Sequence, residues 1–281
     1  MGSGTWSACD FKTYSTTCGY SVTSTGSRDL SGLNASQVYK QISLDEGLNP
    51  LNKVRECKDS EEHPNTIPVI LALDCTGSMG DAAVEVAAEL SVIIKKLYEE
   101  VADVEFLIMG IGDFTYDRAP LQVSQFESDI RIIEQLDKLW FEFGGGPNSW
   151  ESYTAAWCFA AQQTDLDCWK RGKKGIIITM GDEEINPHID AFPYKNLVNN
   201  NLQTDKLDTD QIYEWVKDKY DLYHIDVDHT EYRHPDLSGF KKYCGEKNVF
   251  RVPVNGIAQV ITDIVLSHET NPTDEDGNIV W

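Results

Sequence analysis

Three oxygen-bearing side chains recur at alternate positions in one short polar loop, Asp74-Cys75-Thr76-Gly77-Ser78-Met79-Gly80. A carboxylate and two hydroxyls spaced D-x-T-x-S in a tight turn can converge on one cation. Mg²⁺ takes six oxygens at about 2.0–2.1 Å in an octahedral array and keeps some of its water, and this loop supplies part of that shell. Two of the three donors are neutral, so an ion held here keeps net positive charge and attracts an anionic group to its open position. Taken alone, Asp74 or Ser78 could instead cap the helix that follows, since both residue types favour that position.

Other groups capable of chemistry are weaker candidates. His224, His229 and His234 recur at intervals of five. A catalytic zinc wants about three protein ligands and a water, but this stretch is part strand and part loop, and nothing in it forces the rings together. Gly144-Gly145-Gly146 lacks the Lys-Ser/Thr of a phosphate loop. Trp140, Phe141, Phe143, Trp150 and Trp157 read as packing residues. The seven cysteines include no C-x-x-C pair, which argues against a cysteine zinc site. They read as reduced thiols, which places the chain in the cytoplasm.

The elements that must position the loop follow from patterning. Ile67–Leu73 is a nearly continuous apolar run, as in a strand buried on both faces of a parallel sheet. Over Asp81–Val101 the residues Val86, Leu90, Ile94, Leu97 and Val101 step by three or four, which predicts a helix. Val104–Gly112, Gly175–Thr179, Leu222–Val227 and Val249–Val252 are further strands, with Leu121–Phe126 as a short edge strand and Leu139–Phe143 as a strand-like stretch. Helices are expected over Ser128–Leu139 (Ser128 as N-cap), Trp150–Gln163, Asp208–Tyr220 and Asn255–His268. Residues 1–65 read as an irregular arm packing on the main domain, with one short helix near Ala35–Ile42, and Glu269–Trp281 as a polar tail. Alternation of strands and helices from Thr66 to His268 implies an α/β fold, a Rossmann-like three-layer sandwich whose mainly parallel sheet carries helices on both faces. In such sheets ligands bind beyond the carboxyl ends of the strands, at a topological switch point.

Ile67–Gly80, IPVILALDCTGSMG, resembles the first strand and metal loop of von Willebrand factor A-type (VWA) domains, whose pattern is D-x-[ST]-x-S. Further features occur in the family's order: a long helix directly after the loop, the glycine-rich segment GGGPNSWESY, and the strand IIITMGD with a terminal acid. The resemblance covers about Thr66–His268. It implies a metal-ion-dependent adhesion site in which Asp74, Thr76 and Ser78 are joined by Asp182 as a second carboxylate. The family's second segment usually supplies a Thr, and Gly144–Tyr153 contains none. Glu151 is the first candidate there, with Asn148, Ser149 and Ser152 as alternatives. The resemblance implies a Mg²⁺-class ion (or Mn²⁺ or Ca²⁺) and a protein partner that offers an acidic residue to it. More narrowly, Gly110–Glu127 (GIGDFTYDRAPLQVSQFE), Glu151-Ser152-Tyr153 and Gly181-Asp182-Glu183 resemble bacterial VWA proteins found beside MoxR-type AAA+ ATPases, which implies such an ATPase as partner.

Composition bounds the alternatives. The 281 residues carry a net charge of −22, which disfavours nucleic acid and anionic membrane surfaces as partners. No apolar run reaches the ~18 residues of a membrane span, and the N-terminus has neither a signal core nor a myristoylation pattern. A rival reading is a Mg²⁺-dependent phosphohydrolase of the haloacid dehalogenase type with Asp74 as nucleophile, since DCTGS resembles the loop D-x-T-G-T. Against it, the helix follows the loop with no room for an inserted flap, and position 186 is Asn where a second acid is wanted. The expected function is therefore a binding module without catalysis.

Overall fold

A computed structural model describes residues 4–24, 26–80, 82–101, 103–144, 146–147, 150–229 and 234–270. Among these, the central sheet contains β1 (Ile67–Asp74), β2 (Val104–Ile111), β3 (Leu121–Val123), β4 (Gly175–Gly181), β5 (Tyr220–Val227) and β6 (Val249–Val252). The order across it is β6-β5-β4-β1-β2-β3. Every neighbouring pair is parallel except the edge pair β2 and β3. β1 is central and fully flanked, which is why it reads as a continuous apolar run.

The helices are α1 (Ala8–Thr17), α2 (Ala35–Val38), α3 (Ala82–Glu100), α4 (Arg131–Leu136), α5 (Thr154–Gln163), α6 (Ala191–Leu197), α7 (Thr209–Val216), α8 (Ser238–Cys244) and α9 (Ile257–Thr270). Alternate strand residues enter opposite cores. Val69, Leu71 and Leu73 pack toward α3, α4, α9 and the N-terminal arm, whereas Ile70 and Ala72 pack toward α5–α8. The result is the three-layer α/β sandwich that the alternation of elements implies.

Several boundaries differ from the sequence expectation, each for a local reason. Residues 1–65 hold a ten-residue helix, α1, which is capped by Ser7 and buries Phe11 and Ser15. Arg28, 5% exposed, ties the arm to the domain through paired bonds to Asp137 at 2.6 and 2.9 Å. The short helix α2 stops at Val38, leaving Ile42 exposed. Ser128 is not an N-cap: its hydroxyl donates to the Gly4 carbonyl at 2.6 Å, and α4 begins at Arg131. Leu139–Phe143 is not a strand, because the Gln122 side-chain amide satisfies both backbone groups of Trp140 at 2.7 and 2.9 Å. Trp150–Glu151 forms a two-residue strand paired with Glu184–Ile185, so the helix that was expected from Trp150 begins only at Thr154.

From β1 the chain runs first to β2 on one side and later to β4 on the other. The direction of winding reverses at β1 and β4, and in such sheets ligands bind beyond the carboxyl ends of the strands at this point. Asp74 ends β1, and Asp182 follows directly on β4.

Candidate metal centre

The loop after β1 is set by its own side chains. Asp74, fully buried, accepts from the Thr76 N–H (2.9 Å) and the Thr76 hydroxyl (2.6 Å) on Oδ1. This local turn is characteristic of Asp, and it places Thr76 beside the carboxylate. The Gly77 N–H then donates to the Gly144 carbonyl at 2.8 Å. A Cβ at Gly77 would lie 2.8 and 2.9 Å from the Gly144 and Phe143 carbonyl oxygens, so only glycine permits this approach of the second segment. Met79 turns into the core, and α3 follows immediately.

Four of the residues expected at the site form a single chain of contacts. Asp74 Oδ1 and Thr76 Oγ1 are 2.6 Å apart, Thr76 Oγ1 and Ser78 Oγ 3.1 Å, and Ser78 Oγ and Asp182 Oδ1 2.8 Å. Neighbouring oxygens around an octahedral ion at 2.0–2.1 Å lie about 2.9 Å apart. The donor set is all oxygen, and its spacings, which are those of hydrogen bonds, also match the edge of such an octahedron. Asp74 and Thr76 are buried while Ser78 is exposed, so the row runs from the sheet end to solvent.

Two residues that sequence reasoning did not place at the site hold these carboxylates. The Tyr153 hydroxyl, fully buried, donates to Asp74 Oδ2 at 2.7 Å. Burial and the Asp74 charge push its pKa up, which keeps it a donor. His229 Nε2 lies 3.0 Å from Asp182 Oδ2, and that hydrogen bond raises the imidazole pKa. Gly181 makes room for the first contact, since a Cβ there would sit 2.0 Å from the Tyr153 hydroxyl and 2.7 Å from Asp74 Oδ2. Tyr153 opens α5 in a stretch of packing aromatics, and its sequence carries no sign of the polar role. His229 was visible only as one member of a His series.

Electrostatics favour a cation. Burial, then the Asp182 charge, raises the Asp74 carboxyl to about 7. Glu151, 5% exposed, is pushed well above the carboxylate range by burial and by Asp74, Asp113, Asp117 and Glu183. Its Oε2 has no hydrogen-bond partner among the described residues. Glu151 is thus close enough to feel Asp74, but no hydrogen bond links it to the row of donors. Of the alternatives, Asn148 and Ser149 lie outside the described residues. Ser152 turns toward the β2–β3 connection, where its hydroxyl accepts from the Phe114 N–H at 3.1 Å. Thr154, one residue beyond the second segment, is held by Asn186 at 2.6 Å. Asp113 is buried and accepts from the Thr115 N–H at 2.6 Å.

Among the described residues, no three His, Cys, Asp or Glu side chains gather to hold a metal by themselves. The row Asp74–Thr76–Ser78–Asp182 instead combines two carboxylates with two hydroxyls. The three histidines are dispersed: His224 is buried, stacked on Phe240 with ring centroids 3.4 Å apart, and its pKa falls to about 3 through burial. His234 faces Asp228 at 4.0 Å. For the phosphohydrolase chemistry a second acid is wanted near Asp74, and Asn186 bonds to Thr154 rather than to the site.

No family model matches the chain, and no curated protein matches it either. Solved structures do. The pilus adhesin SpaC from Lactobacillus rhamnosus GG is similar at TM-score 0.51 and 11% identity, over 75% of this chain and 31% of that one. Proximal thread matrix protein 1 from the mussel byssus is similar at TM-score 0.50 and 11% identity, over 78% and 50%. The vWF domain of the type V pilus tip protein Mfa5 from Porphyromonas gingivalis matches at TM-score 0.49 and 12% identity, over 73% and 95%. The chain thus spans about a third of the pilus adhesin and half of the byssus protein. At such identities the likeness to the adhesin and the byssus protein shows the fold alone, a Rossmann-like α/β sandwich.

Proposed function

We propose that this chain is a divalent-metal-dependent protein-binding module without catalysis of its own. The observation that carries the reading is the row Asp74–Thr76–Ser78–Asp182 at the switch point of the sheet, closed by burial at one end and exposed at Ser78. These four residues would hold Mg²⁺, or Mn²⁺ or Ca²⁺ in its place, with Glu151 available from the second segment. The bound ion would supply positive charge to an acidic side chain of a partner. Within the protein, Tyr153 orients Asp74, His229 orients Asp182, and Gly77 and Gly181 let the three segments approach.

The reading extends to an intracellular complex, with a MoxR-type AAA+ ATPase as the partner that the Gly110–Glu127 resemblance suggests. Seven free cysteines, five of them buried, support a reducing compartment. No helix among the described residues is long and apolar enough to cross a membrane. The test is affinity capture with Mg²⁺ and with chelator, read by mass spectrometry, on the wild type and Asp74→Ala. The reading requires a partner that is retained only by the wild type with Mg²⁺. A partner set identical in all four conditions defeats it.

A further inference from the structure

A second feature lies on the same edge of the sheet. Tyr116, Phe143, Trp150 and Phe192 are aromatic rings exposed by 49, 37, 36 and 75%. Tyr116, Phe143 and Trp150 belong to segments at the carboxyl end of the sheet, the end that carries Asp74 and Asp182, and Phe192 lies in the first turn of α6. Beside the candidate metal loops, Tyr116 and Trp150 wall a cavity of about 480 Å³. Its charged lining is mostly acidic, with Asp113, Asp190, Asp205 and Asp208 against Lys206, and His188 is the one imidazole among the described lining residues. Asp205 is neutralised from outside by Lys195 at 2.6 Å. Asp190 and Asp208 remain as exposed carboxylates at the starts of α6 and α7, and Asp208 makes no side-chain cap bond.

A concave site with an excess of negative charge and two partly exposed aromatic faces fits a cationic side chain. The carboxylates attract it, and the rings bind its face or stem. We infer that this cavity receives a lysine or arginine of the protein partner, beside the acidic residue directed to the metal. The placement follows from neighbouring residues in the chain. Ser152 lines the cavity, and its neighbour Tyr153 bonds to Asp74. A partner segment filling both positions therefore presents an acid and a base close together, and that pairing selects it over segments carrying an acid alone. The inference rests on the proposed metal-dependent reading for the acid, and on the cavity alone for the base.

The two parts are separable by experiment. Full-length protein labelled with 5-fluorotryptophan gives one resonance for Trp150, assigned by its loss in Trp150→Phe. N-acetyl-arginine amide, titrated with chelator present, should shift that resonance saturably, while N-acetyl-norleucine amide should not. Asp190→Asn/Asp208→Asn keeps a capping side chain at the start of α6, where Asp190 now caps, and should weaken the arginine probe about threefold or more, the usual scale for two exposed charge pairs. The other tryptophan resonances report that the variant is folded. With Mg²⁺, a blocked glycine peptide bearing one Asp and one Arg should bind more tightly than the same peptide with Arg replaced by Gln. This gain should vanish in the double variant. A linear shift, an equal response to the norleucine probe, or an unaltered affinity in the double variant overturns the cavity assignment. Loss of Mg²⁺ dependence with the arginine response intact would defeat the metal reading instead.

Discussion

Replacing Tyr153 by Phe removes one hydroxyl and little else. That hydroxyl is 2.7 Å from Asp74 Oδ2, and both side chains are completely buried. Water cannot readily replace the lost donor, and Oδ2 has no other donor among the hydrogen bonds described. A hydrogen bond to a charged group contributes about 1.5–3 kcal/mol, and an orphaned buried acceptor costs a similar amount. Tyr153→Phe should therefore lower metal-free stability by about 2 kcal/mol in urea unfolding, with the slope unchanged. If Asp74 is a ligand, its orienting partner also matters to the metal. Losing such a partner typically costs about 10–100-fold in affinity, measurable by titration calorimetry with Mg²⁺. A variant within about 0.5 kcal/mol of the wild type, the range of neutral surface changes, with undiminished Mg²⁺ affinity would refute the role given to Tyr153.

Gly181→Ala should be worse than its size suggests, because the added methyl falls 2.0 Å from the Tyr153 hydroxyl. We expect a loss of about 1–3 kcal/mol by overpacking, together with weakened Mg²⁺ binding in calorimetry. Acidity should act in opposite directions on the two forms. The Asp74 carboxyl rises to about 7 in the fold, from about 3.9 when unfolded. The folded state thus holds the proton more tightly, so this contribution to metal-free stability is full below about pH 4 and is lost as pH rises through 7. Mg²⁺ affinity should grow over the same window with release of protons, and buffers of different ionisation enthalpy will detect that release. Arg28→Ala should free the arm by removing the paired bonds to Asp137, giving faster proteolysis within residues 4–65 and a stability loss of about 1.5–3 kcal/mol.

Much of the fold was legible because burial leaves direct marks. β1 reads as an apolar run since it is flanked on both sides, and α3 announces itself by the spacing of Val86, Leu90, Ile94 and Leu97. The hydrogen-bonded row was legible in Asp74, Thr76 and Ser78, whose alternate spacing and local turn chemistry bring their oxygens together. Asp182 was found through order along the chain, since its meeting with Ser78 is a contact across 104 positions. What escaped is what depends on tertiary partners. Helix α1, ACDFKTYSTT, is rich in residues of modest helix propensity and is fixed by packing of Phe11 and by the Ser7 cap. The middle of β3 and the 139–143 segment are joined by a side-chain amide, Gln122, which no strand pattern encodes. Tyr153 looks like any packing aromatic until Asp74 is placed against it. Glu151 could be named as a carboxylate near the site, but its isolation from the hydrogen-bonded row is a matter of three-dimensional placement.

The central claim is that Asp74, Thr76, Ser78 and Asp182 hold one divalent ion. Calorimetric titration of the metal-free protein with Mg²⁺, alongside Asp74→Ala, tests it most directly. One site is expected in the wild type and none in the variant, with the variant still folded by circular dichroism. Equal binding by the two folded proteins, or no binding by the wild type at millimolar metal, would contradict it.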